Sequence, residues 1–187
     1  MTSSSRSLYI ILGVAALLLL WVWTGYNGLV TAKTGVEASW AQVETQYQRR
    51  FDLVPNLVST VKGAAAFEQD TFTAITAARS QWQSAGSRDD KITAASGFDS
   101  ALSRLLVTVE AYPQLQATQA FRDLMTQLEG TENRIAVARR DYNLSVQTYN
   151  VLVARFPRNI LASMFGFGPE KLFASDEGAD KAPAVKF

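Results

Sequence analysis

The sequence predicts an all-α protein, in which an N-terminal transmembrane helix precedes an elongated antiparallel helical bundle. Two observations carry this prediction. An apolar run without charged side chains extends from residue 7 to residue 32. Beyond it, apolar side chains recur at steps of three and four, which is the period of one helix face. Since no segment alternates apolar and polar residues as a strand does, we expect two long and two shorter helices after the membrane helix.

The apolar run is long enough to cross a bilayer, which requires about 20 mostly apolar residues. Trp21, Trp23 and Tyr26 lie at its end, where amphipathic rings favour the membrane–water boundary. A cleavable signal peptide is the alternative, because Arg6 precedes the run, but no small-x-small cleavage site follows it. We therefore expect an uncleaved single-pass anchor that binds the lipid bilayer. The flanking charges leave the side of the membrane open.

Composition excludes several classes of function. The 187 residues include 18 Lys and Arg against 17 Asp and Glu, so the chain lacks the basic surplus that nucleic-acid binding favours. His and Cys are absent, which removes imidazole bases, thiolate nucleophiles and the usual zinc, copper and haem ligands. We therefore expect no catalytic residue, no cofactor, no metal site and no nucleic-acid partner.

The first long helix of the bundle is predicted from an apolar stripe in which Arg50 fills one position. Pro55 falls inside this stretch, so we expect either a kink near residues 52–53 or a restart of the helix there. The stripe consists of Val36, Trp40, Val43, Tyr47, Val54, Leu57, Val61 and Ala64.

The second long helix is predicted from about Pro113 to Phe156, because its stripe passes through Gly130 without losing register. Pro157 ends it, since the residue before a proline disfavours helical dihedral angles. The stripe consists of Leu124, Leu128, Thr131, Ile135, Ala138, Tyr142, Ser145, Tyr149, Leu152 and Phe156.

Two shorter helices are predicted between the long ones. The first covers about residues 67–84, and its inner face carries Phe72, Ile75 and Trp82. The second begins at Ser87-x-x-Asp90, a variant of the capping box with Asp in place of Glu, and extends to about residue 112.

Several segments occur in the order and spacing of a known family. They are Tyr-Asn-Gly-Leu-Val at 26–30, Arg-Arg-Phe-Asp-Leu-Val-Pro-Asn-Leu-Val at 49–58, Glu-Ala-Tyr-Pro at 110–113, Glu-Gly-Thr-Glu-Asn-Arg-Ile-Ala-Val-Ala-Arg-Arg-Asp-Tyr-Asn at 129–143, Tyr-Asn at 149–150, Phe-Pro at 156–157 and Gly-Phe at 166–167. With these motifs the chain resembles the LemA family of bacterial membrane proteins.

The resemblance implies a single-pass protein of the bacterial inner membrane with a LemA-like helical bundle and no established biochemical activity. The corresponding domains are the N-terminal segment and membrane helix at 1–27, the bundle at 28–168 and a flexible tail at 169–187. Relatives are usually described with the bulk in the cytoplasm, whereas the charges here lean slightly the other way, so the side stays open. Phe67-Glu68 stands where we expect a His in many relatives, and no histidine-dependent role carries over.

Three groups of residues are candidate interaction sites. Arg49, Arg50, Asp52 and Asn56 surround Pro55 and form either an anion site or a salt-bridged surface, of which we favour the surface. Arg50 is the exception, because its stripe position suits a buried register-setting charge or a contact to a partner.

The other two groups lie later in the chain. Glu132 and Asn133 follow Gly130, whose missing side chain lets a neighbouring backbone approach closely. Phe165 and Phe167 belong to an apolar patch that is either a docking or membrane-contact surface or a cap on the bundle.

Three functions compete. We favour a non-catalytic scaffolding or self-assembling structural protein that forms a homo-oligomer at the membrane. The alternative is a ligand- or peptide-binding sensor that works with a membrane protein partner, since bundles bind ligands between their helices. A hydrolase is the third, and its only candidate acid–base pair is Glu129 with Glu132.

Overall fold

A computed structural model of the chain describes residues 3–62 and 69–173, and within this part every regular element is an α-helix, which confirms the predicted fold class. The helices are α1 (Ser3–Lys62), α2 (Gln69–Ser84), α3 (Arg88–Val109), α4 (Pro113–Gln116), α5 (Gln119–Ala154) and α6 (Arg158–Phe165).

The helices form two compact units. The first contains α1 as far as Trp40 together with residues 141–172, and the second contains residues 41–140 together with Phe173. Helices α1 and α5 therefore each contribute to both units.

The N-terminal part of α1 has the properties of a membrane-spanning helix. Every side chain from residue 8 to residue 20 is exposed, and most are apolar. By length and composition α1 is a candidate to cross a membrane, and only 6% of its most apolar window is buried. An apolar surface that the protein itself does not cover is what a lipid-facing segment requires.

Helix α1 continues through Pro55 to Lys62, so the predicted restart near residues 52–53 is wrong. Val54 and Leu57 are both buried on either side of the proline. Packing of this apolar face stabilises the helix across the hydrogen bond that proline cannot donate. The predicted stripe is buried from Val36 to Val61, and its last member, Ala64, lies outside the described residues.

The start of α3 confirms the predicted cap. Ser87 has extended dihedral angles, and its Oγ accepts a hydrogen bond from the Asp90 backbone N–H at 3.1 Å. This bond satisfies one of the amide groups that have no carbonyl partner within the first turn. Helix α2 is described from Gln69, and the expected inner-face residues Phe72, Ile75 and Trp82 are buried.

The predicted continuous helix from Pro113 is wrong at its N-terminal end. Pro113 begins the four-residue helix α4, and α5 begins anew at Gln119. Thr118 explains the break, because its Oγ1 accepts a hydrogen bond from the Phe121 backbone N–H at 3.4 Å and so caps a new helix. From there α5 passes through Gly130 as predicted and ends at Ala154, two residues before the expected end.

The segment after α6 lies along α5 in the first unit. The Tyr149 hydroxyl donates to the Gly168 carbonyl at 3.0 Å, and the Tyr142 hydroxyl donates to the Lys171 carbonyl at 2.8 Å. Asn150 bonds both backbone groups of Glu170, at 2.8 Å each. The tail predicted at 169–187 therefore begins within a hydrogen-bonded segment, and its part from residue 174 lies outside the described residues.

Candidate functional site

The residues predicted around Pro55 do not come together as one group. Arg49, Asp52 and Asn56 are exposed on α1, and Asp52 accepts a hydrogen bond from the Gln48 side chain at 2.9 Å. Arg50 instead is only 6% exposed, as its position in the apolar stripe predicts. The three exposed residues lie on a polar surface, and Arg50 belongs to a buried site of a different kind.

Arg50 forms two ion pairs inside the second unit. Its Nη1 lies 2.9 Å from Asp99 Oδ1 on α3, and its Nη2 lies 2.6 Å from Glu132 Oε2 on α5. The guanidinium also lies over the Phe98 ring, with 5.8 Å between Cζ and the ring centroid. One buried cation thus links three helices, because each carboxylate fixes the position of its own helix against α1.

Asp99 is the centre of this network. Its Oδ2 accepts a hydrogen bond from the Tyr47 hydroxyl at 3.0 Å and another from Arg139 Nη2, and Arg139 also donates to the Tyr47 hydroxyl. Both oxygens of Asp99 are therefore bonded, one to each arginine. Tyr47 is fully buried, and the side chains of Asp99 and Arg139 are about four-fifths buried.

The electrostatics of the network follow from this burial. Burial raises the pKa of the Asp99 carboxyl, while the guanidinium groups of Arg139 and Arg50 act in the opposite direction. Two cations and two carboxylates balance in charge, and Glu132 is the most exposed of the four. The Nε atoms of Arg50 and Arg139 are buried without a hydrogen-bond acceptor among the described residues.

Aromatic rings pack against one side of the polar network. Phe51 and Phe98 meet edge to face, with centroids 4.5 Å apart, and Trp82 lies 4.8 Å from Tyr47 and 5.5 Å from Phe51. Such rings exclude water, which strengthens the neighbouring ion pairs and makes any unpaired charge there costly. Arg139 extends the arrangement by lying over the Phe173 ring at 5.1 Å.

A cavity of about 270 Å³ lies beside the ion pairs. Apolar side chains of α3 and α5 form part of its wall, and the network supplies the rest. The polar lining residues are Arg50, Asp99, Ser103, Glu129, Glu132 and Arg139. The cavity brings the two glutamates of the predicted acid–base pair near each other, but both are exposed residues.

Glu132 and Asn133 lie in different surroundings. Glu132 contacts Arg50, whereas Asn133 is exposed. A Cβ added at Gly130 would meet no described atom within 4 Å, so no described part of the chain packs closely on Gly130. The expected contact of these residues with a close neighbour at Gly130 stays a prediction, and Glu132 belongs to the network.

Asp99 was missed from the sequence. Its signal is present, since it is the one acidic residue of α3 beyond the first turn and lies beside the buried Phe98. A charged residue at the edge of an apolar face, with an arginine in the stripe of another helix, indicates a buried ion pair. Arg139 lies within the family motif at 129–143, and nothing in its local sequence marks it as buried.

The predicted aromatic patch lies in the first unit. Phe165 ends α6 and is about half-exposed, and Phe167 follows the helix. Both rings meet Tyr26 of α1 edge to face, at centroid distances of 5.0 and 5.8 Å. Lys33 lies 5.9 Å from the Phe167 ring. The patch therefore packs on α1 in part and leaves apolar surface exposed.

Comparison with known proteins assigns the family. The sequence profile of the LemA family matches residues 39–187, which include every motif of the resemblance except the one at 26–30. The chain belongs to the LemA family. Together with the apolar segment of α1, membership indicates a membrane-associated protein.

Relatives of this LemA-family protein include magnetosome proteins. It is 30% identical over 181 residues to "Magnetosome protein MamQ 2" of Paramagnetospirillum magneticum and 29% identical over 181 residues to "Magnetosome protein MamQ" of Magnetospirillum gryphiswaldense. Each alignment covers 83% of this chain and 66% of the relative, so the chain spans slightly less than two thirds of those proteins. "Protein LemA" of Metamycoplasma hominis is 22% identical over 152 residues, which are 81% of this chain and 69% of that protein.

Proposed function

We propose that this LemA-family protein is a membrane-anchored assembly protein, which self-associates through its helical bundle as a scaffold at the bacterial inner membrane and has no catalytic activity. The observation that carries the proposal is a row of exposed apolar side chains on α5. Val137, Leu144 and Val151 recur every seven residues, and their exposed fractions are 49%, 55% and 55%.

The row is distinct from the face that α5 buries within its own chain. Ile135, Tyr142 and Tyr149 carry that buried face, also at seven-residue spacing. Single exposed apolar residues are ordinary on a protein surface. Three in heptad register on one helix face form a continuous apolar row, which corresponds to one of the two core positions of a parallel helix pair and supports self-association through α5.

The anchor favours this mode of association. Copies that insert through the same N-terminal helix share one orientation in the membrane, so their α5 helices run parallel. Confinement to the bilayer also raises the effective concentration of the bundles and lowers the affinity that each interface needs. A two-fold axis along the membrane normal then brings equivalent α5 residues of two copies together.

The ion-pair network supports a structural role for the bundle. Both oxygens of Asp99 are bonded to arginines, and Glu132 is bonded to Arg50. A carboxylate acts as a general base only where it faces the substrate, and a nucleophile needs an activating base beside it. These carboxylates are instead neutralised by arginines, an arrangement that fixes how the helices pack.

Disulfide crosslinking in native membranes tests the proposal, because the chain contains no cysteine. Val151→Cys and Leu144→Cys are expected to form covalent dimers on mild oxidation. Val107→Cys is the matched control, since Val107 is 67% exposed but belongs to α3 and not to the row. Dimers at Val151 and Leu144 without dimers at Val107 support the interface. Equal yields at all three positions, or none at the two α5 positions, contradict it.

One observation favours the sensor as a second candidate function. The cavity beside Arg50 has a volume of about 270 Å³, close to the lower end of the range of about 300–1,000 Å³ that ligand pockets occupy. A small ligand there would raise the unfolding temperature of the protein, and Leu128→Trp would abolish the increase by filling the cavity. If a library of small carboxylates and amines gives no such increase, the sensor is excluded for these ligand classes.

A further inference from the structure

Helix α6 exposes apolar side chains that its own packing leaves uncovered. Met164 is 72% exposed and Ile160 is 47% exposed, and Phe156 just before the helix is 75% exposed. The helix nevertheless has a defined end, because Gly166 adopts a left-handed conformation with φ of 74° and the Phe167 N–H donates to the Ala162 carbonyl at 2.9 Å. The exposed side chains are therefore held in fixed directions.

Successive residues of a helix differ by about 100° around its axis, so α6 divides into three sectors. Leu161 and Ala162 form the first sector and are buried against the first unit. Ile160 and Met164 form the second, which is apolar and exposed. The third is polar and exposed, and it consists of Asn159 and Ser163.

The position of α6 along α1 gives its depth relative to the membrane segment. Leu161 packs so closely on Gly25 that a Cβ added there would lie 2.5 Å from Leu161 Cδ1, and Trp21 and Val22 belong to the same apolar cluster. Gly25 follows Trp23, one of the aromatic residues expected at the membrane–water boundary, by two residues. At 1.5 Å per residue this is a distance of about 3 Å along the helix.

That distance places α6 in the interfacial layer of the bilayer, which extends roughly 5–8 Å beyond the hydrocarbon core on each side. Helices that lie in this layer bury their apolar face about 5–10 Å into the boundary between headgroups and acyl chains. Phe165 meets Tyr26 edge to face at 5.0 Å, so an aromatic pair also lies at the depth that such rings favour.

We propose that α6 is an interfacial helix, whose Ile160 and Met164 insert into the same bilayer that the N-terminal segment spans. The exposed Arg155 and Arg158 then lie beside the lipid headgroups, where they favour anionic lipids. The anchor and α6 together fix the orientation of the first unit on the membrane surface, because two points of contact restrict the tilt that a single helix leaves free.

The alternative to lipid is that a second copy of the chain covers this apolar sector. The structure favours the lipid. By themselves the exposed apolar side chains of α6, which are Ile160, Met164 and Phe165, form a smaller surface than the roughly 800 Å² that a stable protein interface buries on each partner. The bilayer, in contrast, is already present at this position because the preceding residues of α1 cross it. Insertion of α6 therefore needs no further association step.

Spin labels on the full-length chain in vesicles of phosphatidylcholine and phosphatidylglycerol test the proposal. The absence of cysteine allows one label at a time, at Met164→Cys in the apolar sector and at Ser163→Cys in the polar sector. We expect the Met164 label to collide severalfold more often with oxygen, which concentrates in lipid, and severalfold less often with a water-soluble nickel chelate. The Ser163 label is expected to show the opposite preference.

Two results would overturn the proposal. One is equal access of the nickel chelate to both labels, which means that α6 lies in water. The other is protection of the Met164 label from both reagents together with spin–spin coupling between copies, which means that a second chain covers the sector. A further variant separates insertion from folding: in the Met164→Cys background, Ile160→Glu is expected to move the label into water, whereas Asn159→Glu is expected to leave its depth unchanged.

Discussion

Arg50 Nη1 donates to Asp99 Oδ1 at 2.9 Å and joins two helices across 49 positions of sequence. The pair connects a stripe position of α1 to the edge of the apolar face of α3. Because Arg139 bonds the second oxygen of the same carboxylate, one aspartate holds two arginines. Through the two arginines, Asp99 connects α3 to both α1 and α5 in the second unit.

Removal of the Asp99 carboxylate is therefore expected to destabilise the bundle strongly. Asp99→Ala leaves Arg50 and Arg139 without their shared counter-charge, and breaking a buried ion pair in this way costs about 3 kcal/mol or more. Glu132→Ala is the matched control, because the Glu132 side chain is 53% exposed and its ion pair is expected to contribute less than about 1 kcal/mol. Thermal unfolding of the protein in detergent, followed by circular dichroism, measures both effects. Equal losses would contradict the central position of Asp99.

Ser87 is expected to contribute to stability through the cap of α3. Ser87→Ala removes the acceptor for the Asp90 N–H, which costs about 1 kcal/mol. Hydrogen exchange at the first turn of α3 is expected to accelerate in the variant. Ser100→Ala, at an exposed position in the interior of α3, is expected to leave that turn unchanged. Unchanged exchange in Ser87→Ala would exclude the cap.

Gly25 is expected to tolerate no branched side chain. Gly25→Val places methyl groups where Leu161 now lies, and overpacking of this kind costs about 1–3 kcal/mol. Gly28→Val is the control, because a Cβ at Gly28 meets no described atom within 4 Å. The expected result is faster hydrogen exchange in α6 for Gly25→Val alone. Equal exchange in both variants would show that α6 does not pack on Gly25.

Alkaline pH is expected to lower the stability of the first unit, because Tyr149 is buried there. Burial raises the pKa of the Tyr149 hydroxyl, and the charge of Glu170 adds to the effect. A pKa raised in the folded state stabilises the protein fully below the unfolded value of about 10, and this contribution is lost as the pH rises through the folded value. The stability difference between the natural protein and Tyr149→Phe should thus shrink from about pH 9 upward. A difference that is constant with pH would contradict the raised pKa.

The fold was largely predictable because its signals are local. The apolar stripe from Val36 to Val61 and the buried face of α5 follow from helical periodicity alone. The start of α3 follows from the Ser87-x-x-Asp90 pattern, which spans only four residues. The break at Thr118 was missed because a threonine cap and an exposed helical threonine look alike in sequence.

The ion-pair network was predictable only in part. Arg50 stands out as a charge within an apolar stripe, but its partners lie 49 and more positions away and depend on how three helices pack. The two Tyr-Asn pairs at residues 142–143 and 149–150 make a further contact that periodicity does not reveal. Tyr142 and Tyr149 are buried, and the side chains of Tyr142, Tyr149 and Asn150 also bond the backbone of residues 168–171.

The mass of the intact protein in mild detergent, measured by light scattering with the detergent contribution subtracted, tests the proposed self-association most directly. We expect one homogeneous oligomer that dissociates when Leu144 and Val151 are replaced by glutamate, but stays intact with Val107→Glu. A strictly monomeric protein at every concentration, with membranes that yield no crosslinked dimer, would contradict the proposed function.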